Sequence, residues 1–423
     1  MRVRSRTVGN AALLSLGGIG YGALLFVWFS LPAYLTPIID ALGLSGTQAG
    51  VLAGAIPLTY IPLGLLSGLV VDRIGARLGI GIGLSLVGVG QLGRAVAPDF
   101  PTMLALTLLM GVGATGLTFG LPKLAAELYP SEVVGRAASV YLIASYAGSA
   151  AAFSVGRPIV GPALGGWRPL FSASGAATLG LVAVWAAAAW YVPAGEHMEE
   201  SDGTFSLASL SADVRAVVGH RDMRLLILLG TMYLFVLHGV QGWLITVLET
   251  RGIDPGLAGT VTATLVVGQV VGVLAIPALA ERFDRTRLAI AFCGVVGSLG
   301  VLGLLTTPSV AALLSVPIVL IGLGMGGLSP LIRAVPVELE GIGTTLTGTA
   351  VGVIFAVGEI GGFFGPVIIG RIRDTTGSFT PGIVLCAVAA LIVAGAGVVM
   401  SDPDGSESEP GAESGSPSGS KSD

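Results

Sequence analysis

The sequence predicts an all-α integral membrane protein with twelve transmembrane helices arranged as two pseudo-symmetric six-helix bundles. Hydrophobic residues make up 53% of the chain and charged residues only 11%, less than half of the roughly 25% found in soluble domains. Apolar stretches long enough for a span of about 20 residues recur twelve times. Patterns of glycine, proline and charge in the first half return in the second half. Together these observations exclude an ordinary soluble enzyme.

The predicted spans follow one another with mostly short polar connections. The first comes after Arg2, Arg4 and Arg6, and its apolar stretch is longer than that of a signal peptide. Glycine is abundant, with 66 residues, which suits membrane helices because small residues let backbones approach closely. In chain order the spans are 11–38, 47–71, 78–97, 101–128, 134–160, 168–191, 223–248, 256–280, 287–306, 309–337, 343–370 and 379–400.

The longest polar interruption, 192–222, divides the chain into two domains of six spans each, 1–191 and 223–400. The segment 401–423 carries six acidic side chains and one basic side chain, Lys421. Its net charge is therefore −5, whereas the net charge of the whole chain is −4. It is also rich in Ser, Gly and Pro, a composition that cannot bury a core. We therefore predict a disordered acidic tail.

The distribution of Lys and Arg predicts the orientation in the membrane. If the N-terminus is cytoplasmic, 15 of the 21 basic residues lie on the cytoplasmic side and 6 on the other side. This predicts a multi-pass protein of the plasma membrane whose two termini, central loop and tail are all cytoplasmic.

The loop after the second span carries the most specific motif of the chain. It reads Gly68-Leu69-Val70-Val71-Asp72-Arg73-Ile74-Gly75-Ala76-Arg77. It resembles the signature between helices two and three of the major facilitator superfamily, and with the twelve spans and the central loop the resemblance covers residues 1–400. It implies two six-helix bundles that rock about a site at the midplane. The counterpart in the second half is degenerate, with Glu281 and Arg282 in the acidic and basic positions.

The same resemblance implies a conformational switch. Asp72 would cap the start of helix eleven near 343–345, because the free N–H groups and the dipole there favour a carboxylate. Arg73 would pair with Glu127 at the end of helix four, and both contacts would hold the cytoplasmic side shut. The predicted switch residues are Gly68, Asp72, Arg73, Gly75, Arg77, Glu127, Glu281 and Arg282.

Glycine–proline motifs end the fifth and eleventh spans. The run 161–166 resembles the antiporter signature of helix five, which is associated with drug–proton antiport, although Arg157 replaces one of its glycines. The alternative is close helix packing followed by a proline-induced stop. The predicted packing residues are Gly161, Pro162, Gly165, Gly166, Gly365 and Pro366.

A narrower resemblance comes from 120–130, 358–366 and 373–379, which are similar to cyanate-permease-like and nitrate/nitrite-type porters. Nitrate porters place an arginine in the middle of helices two and eight. Here both helices lack it, and helix eight offers Gln269 near mid-depth. The resemblance therefore implies a related porter without implying nitrate as its solute.

Polar side chains inside spans are costly and are candidates for function. Glu359 is predicted to carry the coupling proton with His238 as its partner, because both lie about 4–5 Å outward of the centres of their spans. The alternative is that they only tie helices together. Two cations near the cytoplasmic ends of spans four and ten would attract an anion, unless they only snorkel to the interface. The predicted cavity residues are His238, Gln241, Gln269, Lys123 and Arg333.

The sequence carries no catalytic or nucleotide-binding motif, and its two cysteines are isolated in apolar runs. We expect no enzymatic activity, cofactor, metal or nucleic-acid partner. The prediction is a secondary active transporter of a small solute, an organic or inorganic anion, driven by protons and functional as a monomer in the lipid bilayer. Two alternatives stay open: a drug–proton antiporter, and a non-transporting receptor or scaffold on the same fold.

Overall fold

The computed structural model describes residues 2–192 and 207–400, and within these ranges helices are the only regular secondary structure. This confirms the predicted all-α class. The acidic tail 401–423 and part of the predicted loop 192–222 lie outside the described residues. The long helices, numbered in chain order, are α1 Arg2–Ala33, α2 Gly46–Ile74, α3 Ala76–Val96, α4 Phe100–Leu128, α5 Ser131–Leu164, α6 Trp167–Tyr191, α7 Arg221–Thr250, α8 Pro255–Phe283, α9 Thr286–Thr306, α10 Ala311–Glu338, α11 Gly343–Thr376 and α12 Thr380–Val399.

Eleven of these helices are long and apolar enough to cross a membrane, and α2 makes the twelfth if it counts as one span. Helix α2 bends by 69° between Gly46–Gly64 and Leu66–Ile74. Helix α5 contains a π-helical segment, Ala152–Val160, with Pro158 inside it. Proline removes a backbone donor and disturbs the regular ladder, so a local change of helical pitch is expected there.

Two short helices differ from the predicted boundaries. The first predicted span, 11–38, is interrupted at Tyr34, and a separate helix Leu35–Leu42 follows. Pro37 lies in the first turn of that helix, where a missing N–H costs nothing, whereas a continuous helix would lose a hydrogen bond there. Within the predicted central loop, residues Leu207–Gly219 form a helix that buries Val217 completely.

The helices fall into two groups of six with the same neighbours. In α1–α6 the packed pairs are α1–α5, α2–α4, α3–α4 and α3–α6, and in α7–α12 they are α7–α11, α8–α10, α9–α10 and α9–α12. Each pair in the first group has its counterpart in the second, which is the expected result of an internal repeat. Between the groups, α2 packs on α11 and α5 packs on α8.

The buried apolar residues form two clusters that show where the halves join. One cluster lies wholly in the first half and includes Leu117 and Trp185. The other runs through the second half and continues into the end of the first half that holds Phe29, Leu35 and Phe153. The halves therefore share a core at one end only. We call it the closed end, and we call the opposite end, where α1 begins and α12 ends, the open end.

Candidate transport site

Helices α2 and α11 run antiparallel and diverge from the closed end to the open end. A Cβ atom added to Gly46 would lie 2.6 Å from the carbonyl oxygen of Gly370, and one added to Gly54 would lie 2.7 Å from that of Phe363. One on Gly64 would lie 3.7 Å from the Ala356 side chain, and one on Gly68 would meet nothing within 4 Å. Glycine is therefore required for the close approach at the closed end, and α2 and α11 are apart at the open end.

Charged side chains connect the two halves at the closed end. The Asp374 carboxylate at the end of α11 accepts hydrogen bonds from the backbone N–H groups of Gly46 (2.6 Å) and Thr47 (2.8 Å) and from the Thr47 hydroxyl (2.6 Å). It therefore caps the first turn of α2. Arg157 of α5 pairs with Glu249 of α7 at 2.5 Å, with both side chains about 90% buried.

The predicted switch residues lie at the open end. Asp72 pairs with Lys123 at 2.8 Å, and the Lys123 ammonium group also donates to the Val71 carbonyl at 3.3 Å. Glu127 lies near Lys123 and near the start of α3 at Ala76. The predicted contacts of Asp72 with helix eleven and of Arg73 with Glu127 belong to a conformation in which this end is shut, and they stay predictions.

A residue with positive φ connects α2 to α3 and another connects α8 to α9, although their ψ angles differ, at 149° and 49°. Gly75 has φ 85°, and Asp284 has φ 51°. Asp284 follows Glu281 and Arg282, so the degenerate motif of the second half also ends at a residue with positive φ although it lacks the glycine. Arg77 donates to the carbonyls of Ala189 (3.0 Å) and Val192 (2.5 Å) and ties α3 to the end of α6.

His238 and Glu359 come together at mid-depth, next to the interface between the halves. His238 Nε2 lies 3.7 Å from Glu359 Oε2, and both side chains are about 90% buried. The indole ring of Trp28, on α1, stacks parallel to the His238 ring at 5.9 Å. Glu359 Oε2 has no hydrogen-bond partner among the described residues. The sequence placed the two groups at one level, and the geometry shows that they also face each other.

Aromatic side chains from both halves lie near Arg333 and Glu359. Arg333 of α10 lies within electrostatic reach of Tyr21, Tyr146 and Tyr233. Glu359 lies within electrostatic reach of Tyr60 and Tyr233. The Arg333 guanidinium lies 4.2 Å above the Phe355 ring. We call these residues the tyrosine cluster; its members are Tyr21, Tyr60, Tyr146, Tyr233, Arg333 and Phe355.

Sequence reasoning missed these tyrosines and Trp28. A signal was present, because tyrosine in membrane proteins concentrates at the two interfaces, whereas the chain has only eight tyrosines and Tyr21, Tyr60, Tyr146 and Tyr233 fall well inside spans. The predicted cavity residues Gln241 and Gln269 are buried. The backbone of Gln269 lies at the crossing of α8 and α10, opposite Gly326.

The glycine–proline motifs lie at helix contacts. Gly161 faces the Tyr34 side chain with no room for a Cβ atom, and Gly165 (φ 93°) and Gly166 (φ 127°) turn the chain from α5 into α6. In α11, Gly365 packs on the α7 backbone, and the Pro366 carbonyl accepts a hydrogen bond from the indole N–H of Trp243 at 2.8 Å.

The fold and the site together define a polytopic membrane transporter: two repeated six-helix bundles, joined at one end, with the buried His238–Glu359 pair next to the interface between them. The chain belongs to the Major Facilitator Superfamily, whose sequence profile matches residues 17–366. It is similar to the 3-(3-hydroxy-phenyl)propionate transporter of Escherichia coli (strain K12), with 27% identity over 367 residues, which cover 86% of this chain and 87% of that protein.

A shorter similarity reaches the nitrate/nitrite transporter NrtP of Picosynechococcus sp. (strain ATCC 27264 / PCC 7002 / PR-6), with 28% identity over 133 residues, 31% of this chain and 25% of that protein. This confirms the resemblance to nitrate/nitrite-type porters. Among solved structures, a bacterial homologue of the human lysosomal transporter Spinster, in an inward-facing and occupied conformation, has a TM-score of 0.73 with 16% identity over 92% of this chain and 96% of that chain. The similarity to this solved structure shows that the two proteins share a fold. The protein is therefore a multi-pass membrane transporter of small solutes and not an enzyme.

Proposed function

We propose that the protein is a proton-coupled secondary active transporter of a small organic anion that works by alternating access. It functions as a monomer in the plasma membrane with both termini in the cytoplasm. The His238–Glu359 pair carries this proposal, because it places two titratable groups at the interface that alternating access rearranges. The relatives support an anion, since their names refer to a phenylpropionate and to nitrate or nitrite.

The physical argument for coupling starts from Glu359 Oε2. A buried carboxylate oxygen without a hydrogen-bond partner is costly while it is charged, and binding a proton removes that cost. Rocking of the halves alters the contact between α1 and α7 at Trp28 and His238, and so changes the surroundings of the carboxyl group. Glu359 then takes up the proton in one conformation and releases it in the other.

With the termini in the cytoplasm, the open end faces the cytoplasm and the conformation is inward-facing. The basic residues support this orientation, 15 on that side against 6 on the other. The Asp374 cap and the Arg157–Glu249 pair then form the outer gate. Both contacts have to break before the protein can open outward.

The test uses the full-length protein in proteoliposomes with an entrapped pH dye and external 3-(3-hydroxyphenyl)propionate, tartrate or nitrate. We expect one or more of these anions to accumulate when a pH gradient is imposed, with movement of protons in step. Glu359→Gln should abolish the accumulation while downhill exchange survives, because glutamine keeps hydrogen bonding but cannot titrate. Glu359→Asp is the matched control, since it still titrates and should keep part of the accumulation.

Full pH-driven accumulation by Glu359→Gln would remove this residue from the coupling mechanism. Exchange of none of the anions by the wild-type protein would contradict anion transport and favour the receptor or scaffold alternative. Proton movement opposite to that of the solute would favour the antiport alternative.

A further inference from the structure

A cavity of about 310 Å³ lies at the closed end, wholly within the second half of the molecule. It is formed where α7, α9 and α11 end and α12 begins. Two cationic side chains line it, Arg251 directly after α7 and Arg373 near the end of α11, and none of the described residues that line it is acidic. We call it the arginine cavity. It is separate from the His238–Glu359 pair, which lies at mid-depth.

The guanidinium of Arg373 is held at the cavity by an aromatic side chain. Its central carbon lies 5.2 Å from the centre of the Phe379 ring, and the Phe379 ring lies 5.1 Å from that of Trp243. Among the described residues, this guanidinium takes part in no salt bridge or hydrogen bond. A guanidinium on an aromatic face keeps its five N–H donors for another partner.

The guanidinium of Arg251 is held by backbone carbonyls. Its Nη1 donates to the carbonyl of Leu304 and its Nη2 to that of Thr307, both at the end of α9. These two bonds fix the position of the group but do not neutralise its charge, since both acceptors are uncharged. They also use only two of its five N–H donors.

The acidic residues next to these arginines in the chain are engaged elsewhere. Glu249 pairs with Arg157 of the first half, and Asp374 accepts hydrogen bonds from Gly46 and Thr47 of the first half. Arg251 and Arg373 are both partly buried, where unpaired charges are more costly than in water. An anion bound in the arginine cavity would remove this cost for two cations at once.

The donors of the arginine cavity suit a phosphate group. A carboxylate is planar, and a single guanidinium fork satisfies its two oxygens. A phosphate is tetrahedral and accepts from two guanidinium groups that approach from different directions. The Ser378 hydroxyl, which also lines the cavity, accepts from the Thr380 N–H at 3.1 Å and keeps its own proton for a further acceptor.

An exposed apolar surface continues from the arginine cavity along two helices. On α9, Leu302 is 40% exposed and lies one turn from Leu305, which lines the cavity. On α12, Val384 is 39% exposed and lies one turn from Thr380, which also lines the cavity. Residues one turn apart share a helix face, and α9 packs on α12. Acyl chains could therefore lie on this surface while their headgroup is in the cavity.

We propose that the arginine cavity is a binding site for a phosphate group, held by Arg251 and Arg373. The adjoining apolar surface favours the phosphate of a membrane lipid over a free phosphate ion, as basic pockets between membrane helices suit anionic headgroups. The site is independent of the proposed solute and of proton coupling.

The test is a titration of the purified full-length protein in detergent, followed by native mass spectrometry, with dioleoylphosphatidylglycerol as the probe. Dioleoylglycerol has the same acyl chains without the phosphate, and inorganic phosphate has no acyl chains. We expect the first bound molecule of dioleoylphosphatidylglycerol to bind about tenfold or more tightly than dioleoylglycerol, because a hydrogen bond to a charged group is worth about that factor.

Substitutions of arginine locate the bound phosphate. Arg373→Gln should weaken the binding of dioleoylphosphatidylglycerol about tenfold or more and should leave that of dioleoylglycerol unchanged. Arg373→Lys should restore part of the affinity, because the charge returns without the planar fork. The matched control is Arg371→Gln, which removes the same charge from an exposed position two residues away that does not line the cavity. It should leave the affinity unchanged.

Arg251→Gln gives an independent second measurement and should also weaken binding about tenfold or more. Equal affinity for the two lipids, or equal losses in Arg373→Gln and Arg371→Gln, would overturn the proposal. Binding of inorganic phosphate that depends on Arg373 and displaces the lipid would support the site and assign it to free phosphate. Binding of the lipid that withstands millimolar inorganic phosphate would assign the site to the headgroup.

Discussion

Removal of the Asp374 carboxylate should open the closed end of the molecule. This side chain caps the first turn of α2 in addition to the N-cap Ser45, yet it belongs to α11 in the other half, so its three hydrogen bonds to Gly46 and Thr47 exist only while the halves are together at that end. Asp374→Ala deletes all three bonds and leaves the close backbone contact of Gly46 with Gly370 in place.

The magnitude follows from the cost of losing a helix cap. Replacement of an N-cap Asp by Ala costs roughly 0.5–2 kcal/mol. Asp374 is exposed, so water screens its charge and partly replaces the lost partners. Because the whole cost falls on the closed state, the ratio of open to closed at this end should rise about 2- to 30-fold.

The rate at which a maleimide modifies a cysteine placed at Thr246 measures this opening. Thr246 is about 95% buried and lies across the interface from Thr36, with 3.1 Å between the two hydroxyls. The native cysteines, Cys293 and Cys386, are fully buried and give little background. In the Asp374→Ala background the modification rate should rise by the same 2- to 30-fold, since modification requires opening.

Asp254→Ala is the matched control. Asp254 caps α8 at the same end of the molecule, with bonds of 2.9 Å to the Gly256 N–H and 3.2 Å to the Leu257 N–H, but all three residues belong to one half. The control should lose a cap without changing the modification rate at position 246. An unchanged rate in Asp374→Ala, or an equal rise in Asp254→Ala, would refute the reasoning.

Two further substitutions test the same movement. Gly50→Val should also open the closed end and slow transport, because its Cβ atom would lie 2.8 Å from the Pro366 carbonyl carbon. The control is Gly180→Val, where a Cβ atom meets nothing within 4 Å. This control should leave the rate of maleimide modification at Thr246→Cys unchanged. Asp72→Asn should leave the protein folded, since this side chain is 64% exposed. It should nevertheless slow exchange in proteoliposomes severalfold, because a charged cap is worth about 0.3–2 kcal/mol, and wild-type exchange by this variant would argue against a switch there.

Much of the fold could be predicted because the length of each apolar stretch can be read directly from the sequence. The fifth predicted span, 134–160, corresponds to Ser131–Leu164, an error of a few residues at each end. The break at Tyr34 was missed because hydropathy does not distinguish a continuous helix from two helices with an apolar connection. The helix Leu207–Gly219 was missed because its 13 residues are too short to span a membrane and follow a polar stretch that reads as a loop.

The sequence predicts how deep the candidate site residues lie in the membrane, but not which way their side chains point. The level of His238 and Glu359 follows from their position along each span, whereas their facing side chains depend on how α7 packs against α11. The pairing of Lys123 with Asp72 was missed for a different reason. The resemblance describes a contact of the shut cytoplasmic side, and a sequence does not specify which of its conformations is populated.

Helices α2 and α11 carry equivalent aspartates at opposite ends of the molecule, and only one of these aspartates caps the partner helix in this conformation. Each helix ends in an aspartate, Asp72 on α2 and Asp374 on α11, and each aspartate lies at the level where the antiparallel partner begins. In this conformation Asp374 caps α2, while Asp72 pairs with Lys123 inside its own half. We predict that Asp72 caps α11 when the open end shuts; because α2 and α11 diverge toward that end in this conformation, that cap is not formed together with the Asp374 cap here. Since a helix cap is worth only about 1 kcal/mol, we predict that exchanging one cap for the other leaves the two conformations close in free energy, so that the binding of a solute is sufficient to decide between them.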